Sequence, residues 1–291
     1  MRVTADKYYG HEAETYDAQR RETTRWKIEQ QAVEDFVSEG PVLDIPLGTG
    51  RYVPIYRRKG LEFFGVDLSR DMLSVAEQTN GTLPCAQGSI LSQPCDDEVY
   101  ATAVCTRLMD WLCPSDMIAA INELRRVART LIVTIRHGEP RISINYTHGL
   151  DTFYEAIDGL FIEARRTTEN GKHGHEEIFK LRSPCWQDVA DQLAWHDGDS
   201  EAEIERLSGV AVCAETATVR AEYWTNEKIG ATVHAMAAID RRYRTRENPR
   251  FHEGPATILQ ADERSLIIDG RRRMNQWQKV PGRYPILVVT P

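Results

Sequence analysis

No run of apolar residues in this 291-residue chain approaches the ~20 that a helix needs to cross a bilayer. That excludes a membrane-spanning helix, and no membrane partner is expected. Met1 to Tyr9 lack the apolar core of a secretory leader, so the expected location is cytoplasmic. The six cysteines (Cys85, Cys95, Cys105, Cys113, Cys185 and Cys213) include no C-x-x-C pair and no paired metal-ligand spacing. They read as reduced thiols, several in buried strands, and no metal site is expected. Internal repeats and low-complexity tracts are absent as well, which leaves no signature of a repeat array. The hydrophobic fraction, 41%, is slightly low yet sufficient for a packed core, which excludes wholesale disorder.

Negative charge dominates, but unevenly. The net charge is −8, whereas residues 225–291 carry 12 Lys/Arg against 7 Asp/Glu, a net of +5. The remainder holds 24 against 37, a net of −13. Such a split suggests two units with different partners. A basic tail could meet phosphates, although solvated arginine-rich surface gives the same composition.

What the chain does contain centres on Val42-Leu43-Asp44-Ile45-Pro46-Leu47-Gly48-Thr49-Gly50-Arg51. A buried strand runs into a turn with two glycines and then an amphipathic segment, Tyr52 to Arg58. Glycine accepts positive φ and lets a ligand approach the backbone closely. Strand, glycine turn and helix N-terminus together make a cradle of free N–H groups; a plain tight turn is the alternative. A second buried strand, Phe64-Gly65-Val66-Asp67-Leu68-Ser69, ends in a carboxylate. Asp67 follows Asp44 by about the ~20 residues at which a βαβ unit places an acid on a ribose diol.

Asp44-x-x-x-Gly48-x-Gly50 followed by Gly65-Val66-Asp67-Leu68-Ser69 resembles motifs I and II of class I S-adenosylmethionine (SAM)-dependent methyltransferases. Position 53 is Val53, so the third glycine of the dinucleotide-binding G-x-G-x-x-G is missing. The resemblance spans roughly residues 5–185. It implies a Rossmann-like, doubly wound, mainly parallel seven-stranded sheet with an antiparallel last strand. It also implies SAM as cofactor, with Asp67 on the ribose hydroxyls, the Gly48–Gly50 loop beside the amino-acid end, and Leu68 and Thr106 lining the pocket. Asp44 would orient that loop or meet the cofactor's ammonium. In the family an N-terminal segment folds over the pocket, often with a Tyr-Asp-x-x-Arg element that Tyr16, Asp17 and Arg20 match; a surface helix is the alternative. The third strand commonly ends Gly-Asp on the adenine; here Gly88 is followed by Ser89, a weaker acceptor.

Between these landmarks, Thr23 or Thr24 caps a helix with Trp26, Ala32, Val33, Phe36 and Val37 on its apolar face. Ser69 caps another, running to about Gln78. Tyr100 to Cys105 is the fourth strand, leading to Arg107, Asp110 and Trp111. The family turns substrate-facing side chains into the crevice there, which makes Arg107 and Asp110 the catalytic candidates. Alternatively Trp111 is core and Asp110 only caps a loop. Ser115 caps the next helix, Leu131 to Ile135 is the fifth strand, and alternation of strands and helices implies a doubly wound sheet. Gly159 to Arg166 and Glu176 to Arg182 read as the closing strands around Asn170-Gly171. His173 and His175 read as exposed turn residues rather than metal ligands.

These readings give a methyltransferase domain over residues 1–185, a helical connector over 186–224 and a small α+β domain over 225–291. In the last, Ser265-Leu266-Ile267-Ile268-Asp269-Gly270-Arg271-Arg272-Arg273 precedes Pro285 to Val289. Asp269-Gly270-x-x-Arg273 resembles the Asp-Gly-x-x-Arg element of the ParB/sulfiredoxin-like fold. That implies a nucleotide at Asp269, Gly270 and Arg273, with Arg273 directed at a phosphate and catalytic if phosphate chemistry occurs; an ordinary turn is the alternative. The chain contains no N-P-P-Y tetrapeptide of the amino-group DNA methyltransferases, so a small-molecule or nucleotide acceptor is the default. Two other readings stand beside it. One is a phosphotransferase or nucleotidase in the tail with a SAM-sensing front domain. The other is a nucleic-acid-binding adaptor using the arginine-rich tail.

Overall fold

The computed structural model describes residues 8–20, 23–137, 148–169, 175–193, 201–202, 204–205, 212–239, 255–261, 264–269, 274, 276–279 and 281–291. The chain divides into two compact units, residues 1–157 with 162–182, and residues 158–161 with 183–291.

The first unit is built on seven strands: β1 (Val42–Asp44), β2 (Phe63–Asp67), β3 (Cys85–Gln87), β4 (Tyr100–Cys105), β5 (Ala128–His137), β6 (Phe161–Glu169) and β7 (His175–Arg182). Its helices are α1 (His11–Thr15), α2 (Thr24–Phe36), α3 (Val53–Arg58), α4 (Arg70–Asn80), α5 (Pro114–Val127) and α6 (Leu150–Ala156). The strand order is β3-β2-β1-β4-β5-β7-β6. Strands β1 to β5 pair in parallel, and β7 runs antiparallel beside β5. The sheet is thus the doubly wound, mainly parallel one expected, with its antiparallel element at the β5 side.

Parallel central strands are covered on both faces and read as continuous apolar runs. Accordingly every residue of β1 is buried, as are Ala101 to Cys105 of β4. Val33, Phe36 and Val37 pack with Val42, Val104 and Ile132, whereas Leu47, Val53, Leu73, Ala76 and Leu83 form a separate cluster. Helix starts follow local chemistry. The Thr23 hydroxyl accepts from the Trp26 N–H at 3.2 Å, and that of Ser69 from the Met72 N–H at 3.3 Å. Ser115, read from the sequence as a cap, lies inside α5. Cys113 is the cap and Pro114 takes the first turn, where a missing N–H costs nothing.

From β1 the chain moves outward through β2 and β3, then returns to the other side of β1 as β4. Such a reversal opens a crevice at the strands' C-terminal ends.

The second unit carries β8 (Thr218–Thr225), β9 (Ala256–Ala261), β10 (Arg264–Asp269) and β11 (Arg283–Thr290), with helices α7 (Trp186–Leu193) and α8 (Asn226–Ile239). The sheet order is β10-β9-β11-β8. Strand alternation gives it two apolar faces: Leu287 and Val289 pack with Val189 and Leu193, while Ile286 and Val288 pack with Ile229 and Met274. A small α+β domain was expected, but its extent differs. Residues 218–224, placed in a helical connector, form β8 together with Thr225, paired along its whole length with β11. Val219, Ala221 and Tyr223 alternate with Arg220 and Glu222, a period-2 strand pattern that the connector reading passed over. Residues 232–238 belong to α8. His173, the arginines between 241 and 250, and Gly270 to Arg273 lie outside the described residues.

Candidate functional site

In the first unit a cavity of about 440 Å³ lies where the turns after β1, β2, β3 and β4 converge. That volume is in the range of small-molecule sites, roughly 300–1,000 Å³. Of the residues predicted from the sequence, Tyr16, Gly48, Asp67, Leu68, Ser89, Thr106, Arg107 and Trp111 line it.

Asp67 closes β2. Its Oδ2 accepts the Gly48 N–H and its Oδ1 the Ser69 N–H, each at 2.8 Å. Burial pushes its carboxyl above the ordinary value, and the N–H groups of Ser69, Gly48 and Leu68 pull it partly back. The same side chain therefore holds the glycine turn and faces the cavity. Gly48 lines the cavity with φ +58°, while Gly50, with φ +73°, packs away from it. A Cβ at Gly50 would stand 2.8 Å from Asn80 Nδ2 and 3.2 Å from Ala76 Cβ.

Of the two roles expected for Asp44, the geometry favours the one that holds the loop. It is 1% exposed, accepts the Tyr56 hydroxyl at 3.1 Å, and is not among the described lining residues. Burial drives its carboxyl well above the ordinary range despite that hydrogen bond. Asp44 supports the loop through the helix behind it and does not face a ligand.

The N-terminal segment is tied over the cavity by three bonds. Gly10 N–H donates to Asp71 Oδ2 at 2.7 Å, Ser69 Oγ to the Tyr8 carbonyl at 2.7 Å, and Thr49 Oγ1 to Asp17 Oδ1 at 2.6 Å. Tyr8 and Tyr16 meet edge-on at 5.7 Å, and Tyr8 meets Trp111 at 5.8 Å. Arg20 does not line the cavity; its guanidinium lies 4.0 Å over the Tyr16 ring and holds that ring in place. Ser89 is exposed, with its hydroxyl accepting the Leu91 N–H at 3.2 Å.

Behind the lining lies a charge network that sequence reading missed. Glu29, on the apolar face of α2, has no exposed surface. Its Oε2 accepts Arg51 Nη1 at 2.9 Å, its Oε1 accepts Arg107 Nε at 2.9 Å, and Arg25 stands 3.6 Å away. Burial alone would raise its carboxyl; Arg51, then Arg107 and Arg25, outweigh burial and hold it at about 2. Arg107 sits at φ +60°, its N–H donating to Thr134 Oγ1 at 2.7 Å. A left-handed backbone costs a non-glycine residue about 1–2 kcal/mol, so this position is held by its surroundings. Asp110 belongs to the same network. It lies in the 3-10 turn Met109–Trp111, 3.1 Å from Arg136, and does not line the cavity. Its expected catalytic position is corrected accordingly, since its ion pair points it behind the wall. Arg136 lies 3.7 Å from Glu176, which in turn takes Arg25 Nε at 2.8 Å. The signal in the sequence was an acid at position 29 on a stripe otherwise made of Trp26, Ala32, Val33 and Phe36.

Tyr8 and Asp116 also line the cavity and were not foreseen. Among the described residues no group of three or more His, Cys, Asp or Glu side chains is placed to hold a metal ion, and no helix is long and apolar enough to cross a membrane. The predicted catalytic Arg273 and the nucleotide position Gly270 lie outside the described residues, and Asp269 ends β10.

Residues 42–130 match a family model described as a methyltransferase domain. Among solved structures, magnesium protoporphyrin IX methyltransferase from Synechocystis PCC 6803 with bound SAH is similar at 17% identity and a TM-score of 0.50, covering 62% of this chain and 97% of that one. The same enzyme with bound SAM gives 20% identity, 61% and 94% coverage and a TM-score of 0.48. A protein of Pyrococcus horikoshii OT3 gives 15% identity, 57% and 94% coverage and a TM-score of 0.46. No match is found among curated protein sequences. The first unit has the class I SAM-dependent methyltransferase fold.

Proposed function

We propose that this protein is a SAM-dependent methyltransferase that binds its cofactor in the cavity of the first unit and methylates a small molecule or nucleotide. The observation that carries this is Asp67, a buried carboxylate that lines the cavity and also holds the backbone of the Gly48 turn.

The donor set fits the cofactor. Asp67 would hold the ribose hydroxyls, Ser89 the adenine edge, and Leu68 and Ile90 an apolar ring face. Four guanidiniums (Arg25, Arg51, Arg107 and Arg136) stand against three carboxylates (Glu29, Asp110 and Glu176) in the network behind the wall. Arg51 and Arg107 bring this single excess positive charge to the cavity, which suits the cofactor's carboxylate. When bound, SAM supplies a methyl group already activated on a sulfonium. The chain's own task is then orientation and exclusion of water. Tyr8 and Tyr16 cover the cavity, Arg20 positions Tyr16, and Thr106 with the Tyr52 hydroxyl 3.2 Å away lines the floor.

For the second unit the reading is a ParB-like nucleotide-binding domain. Its support is the Asp269-Gly270-x-x-Arg273 element at the end of β10 in a small α+β sheet. The arginine-rich segment keeps a nucleic-acid partner as the weaker reading, against a net charge of −8. A cytoplasmic location accompanies these proposals.

Thermal unfolding with SAM, SAH and ATP tests both units. A ligand at a hundredfold its Kd stabilises by about 2.7 kcal/mol, which moves Tm by roughly 5–10 °C for a unit of this size. SAM and SAH should give that rise in wild type and none in Asp67→Ala. ATP should stabilise wild type and not Arg273→Ala. No rise with SAM or SAH contradicts the methyltransferase reading.

A further inference from the structure

The cavity lining separates by origin in the chain. Turns after β1, β2 and β3, together with Thr106 and Arg107 directly after β4, supply the groups assigned above to the cofactor. The remaining wall comes from the N-terminal segment and the stretch after β4: Tyr8, Tyr16, Leu108, Trp111, Leu112 and Asp116. It is aromatic and aliphatic except for one carboxylate.

The charges on the lining differ in how they are satisfied. Arg51 and Arg107 are each bound to Glu29 at 2.9 Å, and Asp67 accepts two backbone N–H groups at 2.8 Å. Asp116, half-buried in the first turn of α5, has no hydrogen-bond or ion-pair partner among the described residues. The side-chain hydrogen bond between its neighbours Cys113 and Ser115 leaves the carboxylate out. An acid in a helix's first turn favours the helix dipole wherever it points. That alone does not account for an acid without a partner among the residues that line the cavity with Tyr8 and Trp111.

Ring faces and a lone carboxylate attract the same kind of group, a cationic nitrogen on an apolar or aromatic body. The geometry points to Asp116 as the specificity-determining residue for the acceptor, selecting an aromatic or aliphatic amine over an alcohol or an acid. This rests on the methyltransferase reading of the cavity and adds the acceptor's class.

Calorimetry on the full chain saturated with SAH tests it, with 2-phenylethylamine, 2-phenylethanol and 3-phenylpropionate as probes. Wild type should bind the amine at least about tenfold more tightly than the other two, the size of one charge-assisted hydrogen bond. Asp116→Asn should erase that preference while SAH affinity holds. Asp116→Lys should turn the preference toward the propionate. Wild type that does not favour the amine, Asp116→Asn that keeps the preference, or Asp116→Asn that loses SAH overturns the assignment. Wild type that fails to bind SAH fails at the earlier step, so the methyltransferase reading falls and takes this one with it.

Discussion

Replacing Glu29 by Gln removes one charge from the most buried ionic cluster of the first unit. Arg51 and Arg107 would keep their own charges in the cavity wall without the carboxylate that each contacts at 2.9 Å. Removing one partner of a buried pair typically costs about 3–5 kcal/mol, because the remaining charge stays desolvated. The acid–base properties of the site give a second route to the magnitude. The Glu29 carboxyl is held at about 2 against an ordinary 4.5. A depression of that size corresponds to roughly 3 kcal/mol of folded-state preference for the carboxylate. Because the folded value is the lower one, this stabilisation is complete above the unfolded value of 4.5 and is lost as pH falls toward 2. Urea unfolding, read through Trp26 with the Arg51 guanidinium 4.4 Å from its ring, measures the difference from pH 7 downward. Glu29→Gln should cost about 3–5 kcal/mol at pH 7, with the gap narrowing below about pH 5. Glu34, whose pair with Arg58 at 2.8 Å is about half-exposed, is the control. Glu34→Gln should cost about 0–1 kcal/mol. A Glu29→Gln cost no larger than the control's, or one that does not change with pH, refutes the reasoning.

Three further outcomes follow from the site. Gly50→Ala should destabilise the first unit by at least about 1–2 kcal/mol in urea unfolding, since φ is +73° and its Cβ would meet Asn80 Nδ2 at 2.8 Å. Tyr56→Phe should cost about 1–3 kcal/mol by leaving buried Asp44 without its hydroxyl donor, and calorimetry should find SAH affinity little changed. Affinity for SAH should fall as pH is lowered, because the raised Asp67 carboxyl protonates at a higher pH than an ordinary carboxylate. Calorimetry stepped down from pH 8 would show it, and affinity that stays flat until the protein unfolds would count against a role for that carboxylate.

Much of this architecture is local, and local features were readable. A buried strand, a glycine turn and an acid closing the next strand placed Gly48 and Asp67 on one cavity, joined by a 2.8 Å hydrogen bond. Caps at Thr23 and Ser69 were legible because a hydroxyl reaches only two or three residues onward. What sequence reading missed depends on distant partners. Glu29 meets Arg107 across 78 positions, and no periodicity announces such a meeting. Asp110 looked catalytic from its place after β4, but the 3-10 turn and Arg136 direct it behind the wall. Strand β8 carried its own alternation of Val219, Ala221 and Tyr223 with Arg220 and Glu222, but its partner β11 lies some 60 residues later, and the stretch was read as connector. Asp44 carries the motif's acid, yet its hydrogen-bond partner is Tyr56 of α3, not a ligand.

Calorimetric titration of wild type and Asp67→Ala with SAM and with SAH tests the central claim most directly. Micromolar binding of both by wild type, lost in Asp67→Ala while the variant still unfolds cooperatively, is the result predicted. Wild type that binds neither, or Asp67→Ala that binds as tightly as wild type, would contradict it.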